Sequence, residues 1–210
     1  MRTVFLLSPA YCGGRRARSL LRAESKGVMA QRLHAGTLTL ADAFTFCSGL
    51  YFRGKIAYAT AFAPDETFVI TPTRGLLPPG MFVSADLLRE FAGVDISEDD
   101  ARYRKPLERD LRALVARVGA DARVVLLGSI ATGKYVEVLA TRLGAQLHFP
   151  PSFIGRGDMS RGGLLLRHAA SREELEYAPL DLDTKRTGSR PPKLDPRTRV
   201  PAVRYIHLSR

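Results

Sequence analysis

The stretch VVLLGSIATGKYVEVLATRLG, residues 124–144, decides the fold class. It opens with four apolar residues and passes through a loop bounded by Gly128 and Gly133. It then continues as an amphipathic segment closed by Gly144. A short apolar run, a glycine turn and a periodic segment make the strand–loop–helix unit of a parallel sheet. The same order recurs outward in both directions. TVFLL (3–7) and TFVITP (67–72) are predicted as buried strands, with a fourth in AQLHFP (145–150) and a last pair in GGLLLRHA (162–169) and LEYAPL (175–180).

Helical spacing is expected in RRARSLLRAESKGVMAQRLHAG (15–36), broken near Gly27. LADAFTFCSGLYFRGKIAYATAFA (40–63) reads as two short helices separated at Ser48-Gly49. Ser84 caps a helix through Phe91, and Ser97 with Asp100 precedes a helix to Val118, with Pro106 expected to begin a second piece. TRGLLPPG (73–80) reads as a loop. Alternating strands and helices predict an α/β fold, a three-layer sandwich with a largely parallel central sheet. Residues 1–180 form the expected single domain and 181–210 a basic, Pro-rich, extended tail.

The chain has 210 residues, 45% of them hydrophobic and 25% charged, as expected of a folded protein with one sizeable core. No apolar run approaches the roughly 18 residues of a membrane span, and MRTVFLLSPAYCGG (1–14) is too short in its apolar part for a signal peptide. Cys12 and Cys47 form no CxxC and have no histidine nearby, so neither a zinc site nor a disulfide framework is suggested. The expectation is a cytoplasmic protein with reduced thiols, no membrane association and no bound metal. The four histidines, His34, His148, His168 and His207, show no metal-ligand spacing.

The net charge of +11 is uneven: residues 185–210 hold eight Lys or Arg against one acid, Asp195. Such a segment suits a phosphate backbone, and equally a solubilising tail or an arm reaching another protomer.

Loops after the four parallel strands join Gly or Pro to cations: SPAYCGGRR (8–16), PTRGLLPP (72–79), GSIATGK (128–134) and PPSFIGRGDMSRGG (150–163). In a parallel sheet they open on one edge, where ligands bind. Candidate phosphate-binding residues are therefore Gly128, Ser129, Thr132, Gly133, Lys134, Arg74, Arg156 and Arg161. The first loop adds Ser8, Tyr11, Gly13, Gly14, Arg15 and Arg16. The spacing Gly128-x-x-x-x-Gly133-Lys134 is that of a nucleotide phosphate loop, but Tyr135 stands where that loop has the hydroxyl that ligates magnesium. What survives is a glycine-rich anion loop. Asp158, between Arg156 and Arg161, is the candidate catalytic carboxylate, although an Asp-Arg turn would read the same way. Tyr51 and Phe52, interleaved with Arg53 and Lys55, suit base stacking; a core helix with snorkelling cations is the other reading.

GKYVEVL (133–139), the following strand that closes in proline and FIGRGDM (153–159) together resemble the second half of an uncharacterised bacterial domain-of-unknown-function family. VITPTRGLLPP (69–79) echoes that family's strand and GLL-P turn, and Tyr103 its short tyrosine segment. More remotely, the loop with Pro9 and Tyr11, and HFPPSF (148–153), are similar in placement to the two active loops of the uracil-DNA glycosylase fold. The resemblance spans about residues 3–165 and implies an acid in the first loop and a base-stabilising His in the later one. SPAYCGG holds no acid, and His148 precedes Phe-Pro-Pro rather than opening a His-Pro-Ser run, so those roles do not carry over.

The expected function is an enzyme acting at a glycosidic or phosphoryl centre of a phosphorylated nucleoside or nucleic acid, without a cofactor. A noncatalytic nucleic-acid-binding module is one alternative. The other is a magnesium-dependent nucleotide phosphotransferase with a degenerate phosphate loop, the one case that would call for magnesium.

Overall fold

A computed structural model describes residues 1–192 and 194. The chain is an α/β protein built on a six-stranded mixed sheet of order β3-β2-β1-β4-β5-β6. β1 (Thr3–Leu7), β2 (Thr67–Thr71), β4 (Arg123–Leu127) and β5 (Leu147–Phe149) run parallel. β3 (Gly75–Leu77) and β6 (Ala178–Pro179) are antiparallel edges. The helices are α1 (Arg15–Leu21), α2 (Val28–His34), α3 (Leu40–Ser48), α4 (Leu50–Phe62), α5 (Ala85–Ala92), α6 (Ala101–Val118), α7 (Gly133–Leu143) and α8 (Asp158–Ser171). From β1 the chain steps to β2 on one side, and β4 then pairs with β1 on the other. The order of the parallel strands therefore reverses between β1 and β4, and a crevice forms at such a point beyond the strands' carboxyl ends.

Alternation along the strands explains why they read as unbroken apolar runs. Phe5, Leu7, Val69, Val125 and Leu127 join a cluster with residues of α3, α4 and α8. Val4, Leu6, Ile70, Val124 and Leu126 join a second cluster with Leu107 and Leu111 of α6 and Val136 and Leu139 of α7. Successive side chains leave opposite faces, and both faces are buried, so the interior positions of β1, β2 and β4 are apolar, and their polar residues, Thr3, Thr67, Thr71 and Arg123, fall at strand ends.

Three expectations are corrected. Residues 162–169 lie within α8 and are not a strand. The segment is heavily buried because α8 crosses α4 at backbone contact: a Cβ on Gly162 would meet the Leu50 carbonyl at 2.6 Å, and one on Gly54 the Gly162 carbonyl at 2.6 Å. A helix enclosed this closely buries Leu164, Leu165 and Leu166 in succession, which imitates a strand. Of the partner segment 175–180, only Ala178–Pro179 is strand.

Pro106 does not divide its helix, and α6 is continuous. The bond lost at its ring nitrogen is one near the amino end, while Tyr103, Leu107, Leu111 and Leu114 bury a single stripe through it. Residues 75–77, read as loop, are the edge strand β3. Gly75 adopts φ +65° under α6, and the Leu76 amide donates to Asp110 at 2.9 Å.

The Ser48-Gly49 break, the Ser84 cap and the Gly144 stop stand as read, with Ser84 accepting from the Leu87 amide. Among the described residues no helix is long and apolar enough to cross a membrane. Most of the basic tail lies outside the described residues, and the described part crosses the start of α8. The Ser189 carbonyl lies where a Cβ on Gly155 would sit, and Leu194 packs beside Gly163.

Candidate functional site

A cavity of about 540 Å³ lies at the carboxyl ends of β1, β2 and β4. Its walls come from the loop after β1 (Ser8 to Cys12), the start of α1 (Gly14, Arg15, Arg16), the end of α3 (Cys47, Ser48) and the first turns of α4 (Tyr51, Lys55). Pro72 follows β2, Ser129 follows β4, and Lys134, Tyr135 and Asp158 enter from the starts of α7 and α8. The size is that of a small-molecule site.

The local sequence explains why these groups face inward. α7 starts after Thr132 and α8 after Gly157, and neither residue caps its helix with a side chain, so their first-turn amides lack that partner. Thr39, Ser84 and Asp100 do cap α3, α5 and α6. Uncapped amino ends favour negative charge, and those of α7 and α8 border a cavity that also holds Arg15, Arg16 and Lys134. Gly49, at φ +71°, joins α3 to α4; a Cβ there would lie 2.7 Å from an Arg16 guanidinium nitrogen. That glycine lets Arg16 lie across the helix junction.

Lys55 is the residue that the sequence concealed. It is 1% exposed and lines the cavity. Its Nζ donates to the Ser8 carbonyl and lies 2.9 Å from Ser8 Oγ. The rings of Tyr51 and Phe52 stand 4.5 and 4.7 Å away, and among the described residues no carboxylate forms an ion pair with it. Burial drives its ammonium down to about 7; the Asp158 charge opposes that shift and the Arg161 charge adds to it. The snorkelling of the other reading does not occur for this cation: Nζ turns inward to Ser8 at the end of β1.

Tyr51 is nearly as enclosed, at 5% exposure; its hydroxyl makes no hydrogen bond of good geometry among the described residues, with the Arg161 guanidinium its nearest charged neighbour. Burial pushes its phenol upward, so it remains a neutral donor. A buried hydroxyl left unpaired on a cavity wall costs about 1–3 kcal/mol until a ligand or water satisfies it.

Cys12 and Cys47, distant in sequence, meet on this wall. The Cys12 thiol donates to the Ala10 carbonyl at 3.7 Å; the neighbouring Cys12 thiol, and after it the Arg16 charge, lower Cys47, while the proximity of Cys47 and burial raise Cys12. Nothing in either segment alone announces the pairing.

The remaining sequence candidates separate into those the structure gathers and those it does not. Ser8, Tyr11, Gly14, Arg15, Arg16, Ser129, Lys134 and Asp158 border the cavity. Tyr11 is 72% exposed at the loop and offers a free ring face. Gly13 lies under that ring, and Gly128 packs on Ser8. Gly133 is faced by Glu137, whose carboxylate would lie 2.6 Å from a Cβ there.

Arg74 is outside, held by Glu90 through two bonds of 2.8 and 2.6 Å. Arg156 is occupied by the Ser152 carbonyl, Ser160 and the Pro192 carbonyl. Arg161 is buried, tying Phe153 to Asp158 at 3.2 and 3.3 Å. Phe52 is fully buried edge-on to Phe44, which leaves no face for a base. His148 bonds the Gln146 carbonyl from β5, away from the cavity wall.

Among the described residues no group of three or more His, Cys, Asp and Glu side chains is placed to hold a metal ion. Compared with known proteins, the chain matches no family model, no curated protein and no solved structure.

Proposed function

We propose that this crevice holds the phosphoryl group of a phosphorylated nucleoside and that the protein acts on it by hydrolysis or transfer. The observation that carries the reading is one of convergence. Two uncapped helix starts, the cations Arg15, Arg16 and Lys134, and the unpartnered Tyr51 hydroxyl border one cavity at the sheet's switch point. Tyr11 at the loop supplies the stacking face for the base, in place of Phe52. Asp158 is the carboxylate that positions water or an attacking hydroxyl.

The same reading takes the fold as a three-layer sandwich, supported by the two separate apolar clusters fed by alternate strand residues. Kinship with the glycosylase fold rests on loop placement alone. The position of His148 gives no support for glycosylase chemistry.

The test is thermal unfolding with nucleoside monophosphates, ATP with and without magnesium, and a short single-stranded oligonucleotide. A ligand at about 100 times its Kd adds about 2.7 kcal/mol of stability. A mononucleotide is expected to raise the midpoint, and Lys134→Ala to weaken its binding about tenfold, the lower end of what a hydrogen bond to a charged group contributes. No shift with any mononucleotide overturns the reading. A shift with the oligonucleotide alone, lost on deleting residues 185–210, replaces it with nucleic-acid binding through the tail.

A further inference from the structure

We propose that Ser8 and Lys55 form a reactive dyad, with Ser8 Oγ the nucleophile toward a phosphoryl centre and Lys55 Nζ the base that activates it. The class of substrate rests on the proposed function; the dyad itself rests on geometry. Ser8 terminates β1, the strand beside the switch point, and is 5% exposed yet borders the cavity. Its hydroxyl lies 2.9 Å from Nζ, within proton-transfer distance. The backbone on either side is held: the Ser8 amide donates to the Leu127 carbonyl at 3.2 Å, and the Ser8 carbonyl accepts from Nζ.

A merely structural tether would need only the bond to the carbonyl, which an ordinary ammonium could make. Here the amine is buried without a carboxylate partner; the Tyr51 and Phe52 ring faces favour the ammonium, but the loss of solvent outweighs them, and the neutral form has a lone pair to accept the Ser8 proton. Facing groups are Asp158 and Arg161 of α8 and Tyr51 of its own helix, with Arg16, Lys134 and Tyr135 across the cavity.

In the reaction, Oγ forms a bond to phosphorus as the bond from phosphorus to the leaving oxygen breaks. The hydroxyl proton passes to Nζ and from the ammonium to the leaving oxygen. Water then attacks the phosphoserine, giving its proton to Nζ, and that proton returns to Ser8 as the phosphate departs. No outside oxidant or further reactant enters.

The full chain is incubated with a fluorophosphonate, in which fluoride is the leaving group, and the adduct is mapped by peptide mass spectrometry across pH 5–9. The expected result is modification of Ser8 with a rate that rises through a midpoint near 7, as Lys55 loses its proton. Lys55→Met is expected to slow it by about 100-fold or more, the lower range for general base catalysis. The pH profile of the unaltered protein needs no variant to fold, and circular dichroism checks that Lys55→Met has folded. Absence of a Ser8 adduct at every pH overturns the dyad, as does a folded Lys55→Met labelled at the unaltered rate. Failure of mononucleotides to bind while Ser8 still labels overturns the phosphate reading and leaves the dyad standing.

Discussion

Lys134 and Lys55 border the same cavity and reach it by opposite routes. Lys134 follows a glycine loop, begins an uncapped helix and remains partly exposed. Lys55 sits mid-helix among aromatic rings, almost without solvent. The first is a point charge near a helix start, suited to attracting and orienting an anion. The second has lost the solvation that keeps an ammonium charged, so it is suited to taking and returning a proton. What a lysine does here follows from what surrounds its nitrogen rather than from the motif around its backbone.

That contrast breaks most directly at Asp158, which touches the machinery of both regions: it borders the cavity near Lys134 and its charge opposes the downward shift of Lys55. Asp158→Asn is expected to reduce turnover about 100-fold in a steady-state assay while leaving the mononucleotide midpoint shift intact. If the variant unfolds and the folded remainder keeps full activity, Asp158 is only a turn residue paired with Arg161.

The enclosure of Lys55 depends on the α4–α8 crossing. Gly162→Ala places a methyl group against the Leu50 carbonyl and is expected to cost about 1–3 kcal/mol in urea unfolding. It should also move the midpoint of Ser8 labelling upward, toward that of a solvated lysine. A variant that is destabilised without any change in that midpoint would separate the crossing from the chemistry.

The last test reads stability against pH. Folding lowers Lys55 from 10.5 to about 7, so between those values the unfolded chain binds more protons than the folded one. Stability contributed by this group therefore rises with pH across that window and is flat below about 7. Lys55→Met should remove the rise, as read by urea midpoints at pH 6, 8 and 9. An identical slope in the variant would mean that the amine titrates as if exposed.

Much of the frame was legible because its signals are local. The runs 4–7, 68–70 and 124–127 are apolar throughout because both faces of those strands are buried, Gly144 stops a helix by its backbone conformation, and Ser84 starts one by its side-chain cap. The site was legible to the extent that strand-end loops share one edge of a parallel sheet: Ser8, Arg16, Lys134 and Asp158 were all found that way. Arg74 and Arg156 carry the same signal and are held by Glu90 and by the Ser152 and Pro192 carbonyls, of which Glu90 and Pro192 lie outside the loops themselves. Residues 162–169 misled because an enclosed helix and a buried strand share the same unbroken apolar pattern.

By itself, the sequence determined the alternation of strands and helices, the common edge of their loops and the surplus of positive charge. These depend on residue periodicity, glycine placement and formal charge, none of which requires a distant partner. Only the tertiary structure decided that Lys55 is buried beside Ser8, that Cys12 meets Cys47, and that the Tyr51 hydroxyl stands unpaired on a cavity wall. The reason is physical: solvation and hydrogen bonding are set by atoms brought together from α4, α8 and the end of β1, and their proximity exists only once α4 and α8 have packed backbone to backbone.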